Sequence, residues 1–212
     1  MLKVNEIFLS IQGESSFAGL LFAFIRLTSC DLRCIYCDTK YAYEEGDFLS
    51  IDKIVKKVQS FGVSRVCVTG GEPMLQQEQT LELLKKFCEL NFLVTLETNG
   101  HHSITDIDER VRIILDVKTP GSGMCDKNYF ENLNLVNPKD EVKFVIVDRK
   151  DYEWAKQIIS EYELAKKTQI LLSACETMLK PSKLAEWMLD DKLDCRLQLQ
   201  LHKIIWGDQR AK

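Results

Sequence analysis

No apolar stretch in this chain of 212 residues is long enough to cross a bilayer, so a membrane-spanning helix is not expected. Basic residues are not in excess: 28 Lys and Arg stand against 32 Asp and Glu, a formal net charge of −4. That balance offers no general attraction to nucleic acid or anionic lipid, although a local basic groove stays open. Proline is scarce, at four residues, and no Pro/Gly-rich linker, internal repeat or low-complexity tract divides the chain. One domain over 1–212 is therefore expected. The opening MLKVNEIFLS lacks the layout of a signal peptide, which makes the cytoplasm the expected compartment.

Apolar residues make up 45% and charged residues 28%, an ordinary globular balance. Eight cysteines stand in the chain. In a reducing compartment they should be thiols or metal ligands rather than disulfides. Cys67, Cys88, Cys125, Cys175 and Cys195 are scattered, and most of them are expected to pack as small core residues. The other three are crowded into eight residues.

Short, β-branched apolar runs predict strands at Glu6–Ile11, Leu21–Leu27, Arg65–Val68, Leu93–Leu96, Val111–Val117, Glu141–Val147, Gln169–Leu172 and Cys195–Leu201. Helical spacing predicts helices from Ile51 to about Phe61, with Ser50 as N-cap and Gly62 as C-cap, and over Gln76–Leu90, Asp151–Tyr162 and Ser182–Leu189. Alternating strands and helices imply βαβ units and a mostly parallel sheet. Five or six units are too few for an eightfold barrel and suit an α/β partial, TIM-like barrel. Polar residues gather where several runs end: Arg26 and Thr28, Thr69 to Glu72, Glu97 to Asn99, Asp116 and Lys118, Ser173 and Glu176. In parallel α/β folds that end of the strands carries the active face. Polar strand ends also occur simply because loops are wet, which explains any one of these sites but explains the whole set less well.

The segment Cys30-Asp31-Leu32-Arg33-Cys34-Ile35-Tyr36-Cys37 has the spacing C-x3-C-x2-C. Thiolates ligate iron–sulfur clusters and zinc alike. Structural zinc closes its shell with a fourth Cys or His, which here would have to come from His101, His102 or a distant cysteine. On a four-iron cluster, three thiolates leave one iron open to a ligand. Val66-Cys67-Val68-Thr69-Gly70-Gly71-Glu72-Pro73 reads as a strand entering a Gly-Gly turn, where backbone can approach a ligand closely; alone it would be only a turn. Arg26, inside the apolar run Phe22–Leu27, needs an anionic partner, either a structural Asp or Glu or a substrate carboxylate.

The cysteine spacing, with the aromatic Tyr36 before the last cysteine, resembles the signature of the radical S-adenosylmethionine (SAM) superfamily. The resemblance implies a 4Fe–4S cluster on Cys30, Cys34 and Cys37, with SAM chelated by the open iron. One electron then cleaves the sulfonium, and the resulting 5′-deoxyadenosyl radical abstracts a substrate hydrogen. Gly70, Gly71 and Glu72 match the element that holds the aminoacyl part of SAM. A flavodoxin- or ferredoxin-type electron donor is implied as well.

A closer resemblance spans nearly the whole chain and is to the 7-carboxy-7-deazaguanine synthase family of the queuosine precursor pathway. Its residues are the opening Ile7–Glu14, Cys37-Asp38-Thr39, Asp116–Pro120, Ser173–Glu176 and the ending Gln200–Arg210. This resemblance implies conversion of 6-carboxy-5,6,7,8-tetrahydropterin to 7-carboxy-7-deazaguanine, with ring contraction and loss of ammonia. It assigns Ile11, Gln12, Gly13, Glu14, Arg26, Thr69 and His202 to the pterin, although His202 can equally be a hydrogen-bonded residue beyond the last strand. Tyr36, Cys37, Asp38, Asp116, Val117, Lys118, Ser173, Ala174, Cys175 and Glu176 fall to SAM, and Thr39 to a magnesium ion. It also implies a tail that closes the active site and a homodimer, while the acidic balance and the lack of a long apolar run leave no contact with nucleic acid or membrane expected. Two positions depart from the family pattern: Ser15 follows Gln12-Gly13-Glu14 where glycine is usual, and the chain ends Ala211-Lys212 in place of Gly-Val, so no substrate contact is assigned to Lys212.

Two other readings stay open. A glycyl-radical activating enzyme, of the anaerobic ribonucleotide reductase activase type, shares C-x3-C-x2-C. A non-enzymatic metal-binding module would carry a closed, structural centre. The QGE opening and the Trp206-Gly207-Asp208-Gln209-Arg210 tail argue against the activase.

Overall fold

The computed structural model describes residues 1–207 and 209–211; Asp208, in the family-like tail, and Lys212 lie outside the described residues. The elements are β1 (Leu2–Ile11), β2 (Leu21–Leu27), β3 (Asp47–Leu49), α1 (Ile51–Gln59), β4 (Arg65–Gly70), α2 (Gln77–Glu89), β5 (Leu93–Thr98), β6 (Arg112–Val117), β7 (Glu141–Ile146), α3 (Arg149–Glu161), α4 (Leu164–Lys167), β8 (Gln169–Ala174), α5 (Pro181–Asp190), β9 (Arg196–Gln198) and α6 (Leu201–Trp206).

One nine-stranded sheet runs in the order β3-β1-β2-β4-β5-β6-β7-β8-β9. β1 pairs antiparallel with β2 and β3, and from β2 onward every neighbour is parallel. The sheet ends on β3 and β9 and so forms an incomplete barrel. The crossovers from β5 to β6 and from β6 to β7 contain no α-helix, only short 3-10 turns such as Pro120–Ser122 and Phe130–Asn134 in the second.

Period-two alternation sorts each central strand into two faces. Ala23, Ile25 and Leu27 of β2, with Val66 and Val68 of β4, pack outward against Ile54, Val55 and Val58 of α1 and Leu83, Leu84 and Phe87 of α2. A second cluster joins Leu115, Val142, Phe144, Ile170 and Leu172 to Tyr152, Ala155, Ile158 and Ile159 of α3 and Leu184 of α5. The opposite face of the same strands looks into the barrel, and its polar positions fall at the C-terminal ends. Arg26 pairs in register with Thr69, and Asp116 with Lys143.

Local chemistry sets the helix ends. The Ser50 hydroxyl accepts from Lys53 N at 3.4 Å and caps α1, and Asp148 accepts from Asp151 N at 2.9 Å and caps α3. Pro181 opens α5, where its missing N–H is harmless. α1 stops at Gln59, and Gly62 takes φ +70° just beyond it. Three sequence expectations change. β1 starts at Leu2 rather than Glu6, α3 starts at Arg149 rather than Asp151, and the run Cys195–Leu201 is a three-residue strand followed by a helix. Of the five scattered cysteines, Cys67, Cys88 and Cys175 are buried, while Cys125 and Cys195 are partly exposed. Among the described residues, no helix is long and apolar enough to cross a membrane.

Candidate active site

The C-terminal ends of the parallel strands surround a cavity of about 750 Å³. Cys30, Cys34 and Cys37 line it from the loop after β2. Several bonds hold that loop. Arg33 Nη1 donates to the carbonyls of Cys30 and Leu32 at 2.6 and 2.8 Å while its guanidinium lies 4.2 Å from the Tyr43 ring centroid, and Ile35 N donates to Ser122 O at 3.0 Å. Asn99 Nδ2 lies 3.9 Å from Cys30 Sγ, close enough for an N–H···S bond. Burial pushes the Cys30 and Cys34 thiols up.

The sulfur spacing tests which centre fits. A single tetrahedral ion with bonds of about 2.3 Å would hold its thiolates about 4 Å apart. Among the described residues, only Asp31, His101 and His102 form a group of three metal-type donors all within 4.8 Å of one another. The three thiols do not form such a group, and three cysteines on one loop suit the ligands of a polynuclear cluster.

The Gly-Gly turn is shaped by packing as well as by access. A Cβ on Gly70 would overlap the Leu27 backbone, and one on Gly71 would overlap Ser29 O beside Cys30. The glycines therefore let the β4 turn lie directly against the start of the cysteine loop, and both still face the cavity. Glu72 does not. It is fully buried behind the wall; its Oε1 accepts from Met74 N and Thr98 Oγ1, both at 2.8 Å, and its Oε2 from Asn99 N at 2.6 Å. Its side chain thus ties the glycine turn to the end of β5, which leaves only its backbone near the cavity for the expected contact with SAM. The Val117 side chain likewise alternates away from the cavity into the core against α3, between two residues that face it. The neighbouring Asp116 and Lys118 do line the cavity, as do Tyr36, Asp38, Ser173, Ala174, Cys175 and Glu176.

The cavity is lined as well by Ile11, Gln12, Gly13, Glu14, Arg26, Thr69 and His202. Arg26 Nε donates to Glu6 Oε1 at 2.8 Å, so the structure supplies the carboxylate the apolar strand called for. Its terminal nitrogens have no protein hydrogen-bond partner among the described residues. Thr69 Oγ1 donates to Glu97 Oε2 at 2.8 Å, and Gln12 Nε2 lies 3.4 Å from Glu97 Oε1. Ser15 holds φ +66°, the left-handed region in which glycine is easier, and its hydroxyl accepts from Phe17 N at 3.1 Å.

Sequence reasoning assigned no role to Lys143. It rises from β7 between Glu14, to which it is ion-paired, and Asp116 at 3.9 Å. Burial alone would lower its pKa, but Glu14 and Asp116 hold it above the usual lysine range. Burial likewise opposes ionisation of Glu14, yet Lys143 and a 2.9 Å bond from Gln200 keep that carboxyl below its usual range. Lys118 pairs with Asp116 at 3.1 Å in the same way. Lys143 carried the same signal as Arg26, a charge at an inward phase of an apolar run. Glu97 was visible only as a polar strand end.

The C-terminal segment meets this site at three points. Leu201 N donates to Gly13 O at 2.9 Å, and a Cβ on Gly13 would overlap the His202 ring. Lys203 reaches back to Asp38 at 2.8 Å. Burial raises the Asp38 carboxyl, but Lys203 and the Thr39 hydroxyl, which donates to it at 2.9 Å, bring it well below the usual range.

Residues 24–159 match the model of the radical SAM superfamily. A 7-carboxy-7-deazaguanine synthase of Chlorobaculum tepidum is 45% identical, over 97% of this chain and 94% of its own length. The synthases of that name from Clostridium acetobutylicum and Koribacter versatilis are 38% and 36% identical, each over at least 97% of both chains. The crystal structure of QueE from Escherichia coli shares the fold, with a TM-score of 0.77 at 22% identity over 95% of this chain and 94% of that one. With that identity over 97% of the chain, and with the superfamily model matched across the cysteine loop, this protein is a member of the 7-carboxy-7-deazaguanine synthase family of radical SAM enzymes.

Proposed function

We propose that the cavity converts 6-carboxy-5,6,7,8-tetrahydropterin to 7-carboxy-7-deazaguanine, with ring contraction and loss of ammonia, in 7-deazapurine synthesis. The observation that carries this reading is one cavity lined both by a three-thiol loop and by a cluster of carboxylate-binding and amide-type groups.

The thiols of Cys30, Cys34 and Cys37 fit a 4Fe–4S cluster, which with SAM supplies one-electron cleavage of the sulfonium and a hydrogen-abstracting radical. Backbone at Gly70 and Gly71, with Tyr36, Asp38, Asp116, Lys118 and Ser173 to Glu176, would hold SAM. Arg26, anchored at Nε by Glu6, would present its free guanidinium nitrogens to the pterin carboxylate. Glu97, fixed by Thr69 and Gln12, faces where an amino-pyrimidine edge would donate. Lys143 would supply a fixed positive charge beside the heterocycle. α6, pinned at Gly13, Glu14 and Asp38, would close the cavity against water and stray hydrogen donors.

The same reading extends to a magnesium ion on the Thr39 hydroxyl, an oxygen ligand at the cavity wall suited to a hard cation. It includes an external flavodoxin- or ferredoxin-type electron donor and a homodimer, both supported by the family resemblance. It also places the protein in the cytoplasm, supported by eight cysteines that are all free.

The test is an anaerobic incubation of reduced, cluster-loaded protein with SAM, magnesium and the carboxylated pterin. Formation of the deazapurine acid with release of ammonia is expected. SAM cleavage without any deazapurine would refute the substrate assignment.

A further inference from the structure

A second cluster of donors lies outside the cavity chemistry, on the far side of the cysteine loop. Asp31, between Cys30 and Cys34, points its Oδ2 at two consecutive histidines in the turn after β5. His101 Nδ1 is 2.7 Å from that oxygen and His102 Nε2 is 2.9 Å. The two rings sit with centroids 5.2 Å apart, tilted by 39°, so one nitrogen of each faces the same point. All three donor atoms fall within 4.8 Å of one another.

The arrangement is held from behind. Asn132, fully buried, donates from Nδ2 to Gly100 O at 3.1 Å and to His102 O at 2.9 Å, and accepts from Ile104 N at 3.1 Å. Asn99 Oδ1 accepts from His101 N at 2.9 Å, and its Nδ2 donates to Asp31 Oδ1 at 3.3 Å. The histidine turn and the carboxylate are thus fixed in position by bonds that do not use the converging nitrogens or Oδ2. The side chains are 22–37% exposed, which leaves solvent room to complete a coordination shell.

We propose that Asp31, His101 and His102 form a binding site for a divalent transition metal of the zinc class, distinct from the iron–sulfur centre. Two imidazole nitrogens and one carboxylate oxygen are borderline ligands of the kind zinc takes in three-ligand sites, with water in the remaining position. As the structure stands, two hydrogen-bond contacts to Asp31 Oδ2 occupy the point of convergence. A metal replaces both and needs only a small expansion, from contacts of 2.7 and 2.9 Å to the edge lengths of a tetrahedron with bonds of about 2.0 Å. Binding there would cross-link the cysteine loop to the end of β5. The proposal does not depend on the identity of the pterin substrate.

The experiment dialyses cluster-loaded protein anaerobically against micromolar zinc, then measures iron and zinc per chain and the zinc X-ray absorption fine structure. With full iron retained, wild-type protein should hold one zinc that a His101→Ala/His102→Ala variant lacks, with a nitrogen and oxygen shell near about 2.0 Å. Asp31→Asn, which keeps the shape and the contact with Asn99, should weaken zinc binding at least about tenfold, close to 1.4 kcal/mol. Equal zinc in wild type and both variants would overturn the proposal, as would a sulfur shell near about 2.3 Å, which would place the zinc on cysteines. If the variants lose their cluster, the wild-type stoichiometry and shell decide alone: one zinc on nitrogen and oxygen supports the site, and no zinc or a sulfur shell refutes it.

Discussion

At the scale of single residues, the barrel interior is governed by charges that cannot be left alone. Lys143 neutralises Glu14 and approaches Asp116, and burial makes each of them dependent on the others. Removing one partner of such a set typically costs about 3–5 kcal/mol because the rest stay buried and unpaired. Lys143→Met should lower the unfolding free energy by that order in denaturant titrations of the cluster-free protein, and should also abolish deazapurine formation. The pH dependence has a definite sign. Glu14 titrates below its usual range in the folded protein, so its contribution is present above the unfolded carboxylate pKa of about 4.3 and is lost as the pH falls through the folded value. Lys143 titrates above its usual range, so its contribution is present below about pH 10.4 and is lost as the pH rises beyond that. Stability curves of Lys143→Met should be flatter on both limbs. A variant with wild-type slopes would remove the pair from the account.

Residue type and spacing made Cys30, Cys34 and Cys37 readable, because few chemistries need three thiols so close. Arg26 was readable as a charge without saying which anion it meets, and the answer, Glu6, lay twenty residues away on the antiparallel strand. Glu72 was the opposite case, with side-chain partners that the sequence did not show. A glutamate in a ligand-binding turn looks like a contact, but only the fold shows its two oxygens already spent on Met74, Thr98 and Asn99.

At the scale of elements, α6 is the part that sequence periodicity placed least well. Cys195–Leu201 reads as one apolar run, yet pairing with β8 ends at Gln198 and the chain turns into the cavity mouth. Nothing local distinguishes the two outcomes; the bonds from Gln200 to Glu14 and from Lys203 to Asp38 are tertiary. β3 was missed because its three residues, two of them exposed, carry no alternation to detect. If α6 closes the cavity, Gln200→Ala/Lys203→Ala should still cleave SAM but lose roughly 100-fold in deazapurine formation, the scale of loss that follows from a misplaced substrate. Chromatography of 5′-deoxyadenosine and deazapurine from one reaction separates the two, and a parallel fall in both would assign α6 to SAM binding instead.

At the scale of the whole molecule, the two apolar clusters on the outer face share one continuous sheet, joined where β5 pairs with β6. If that shared sheet makes the chain one domain, it should unfold in a single transition seen identically by far-ultraviolet circular dichroism and by tryptophan fluorescence, to which Trp154 and Trp187 on the second cluster contribute. Two resolved transitions would divide the barrel into separate units. The central claim concerns the three thiolates and the iron they leave open. Its most direct measurement is the electron paramagnetic resonance spectrum of the anaerobically reduced, cluster-loaded protein before and after addition of SAM. The account predicts a reduced-cluster signal that changes shape when SAM is added, and a spectrum indifferent to SAM would contradict it.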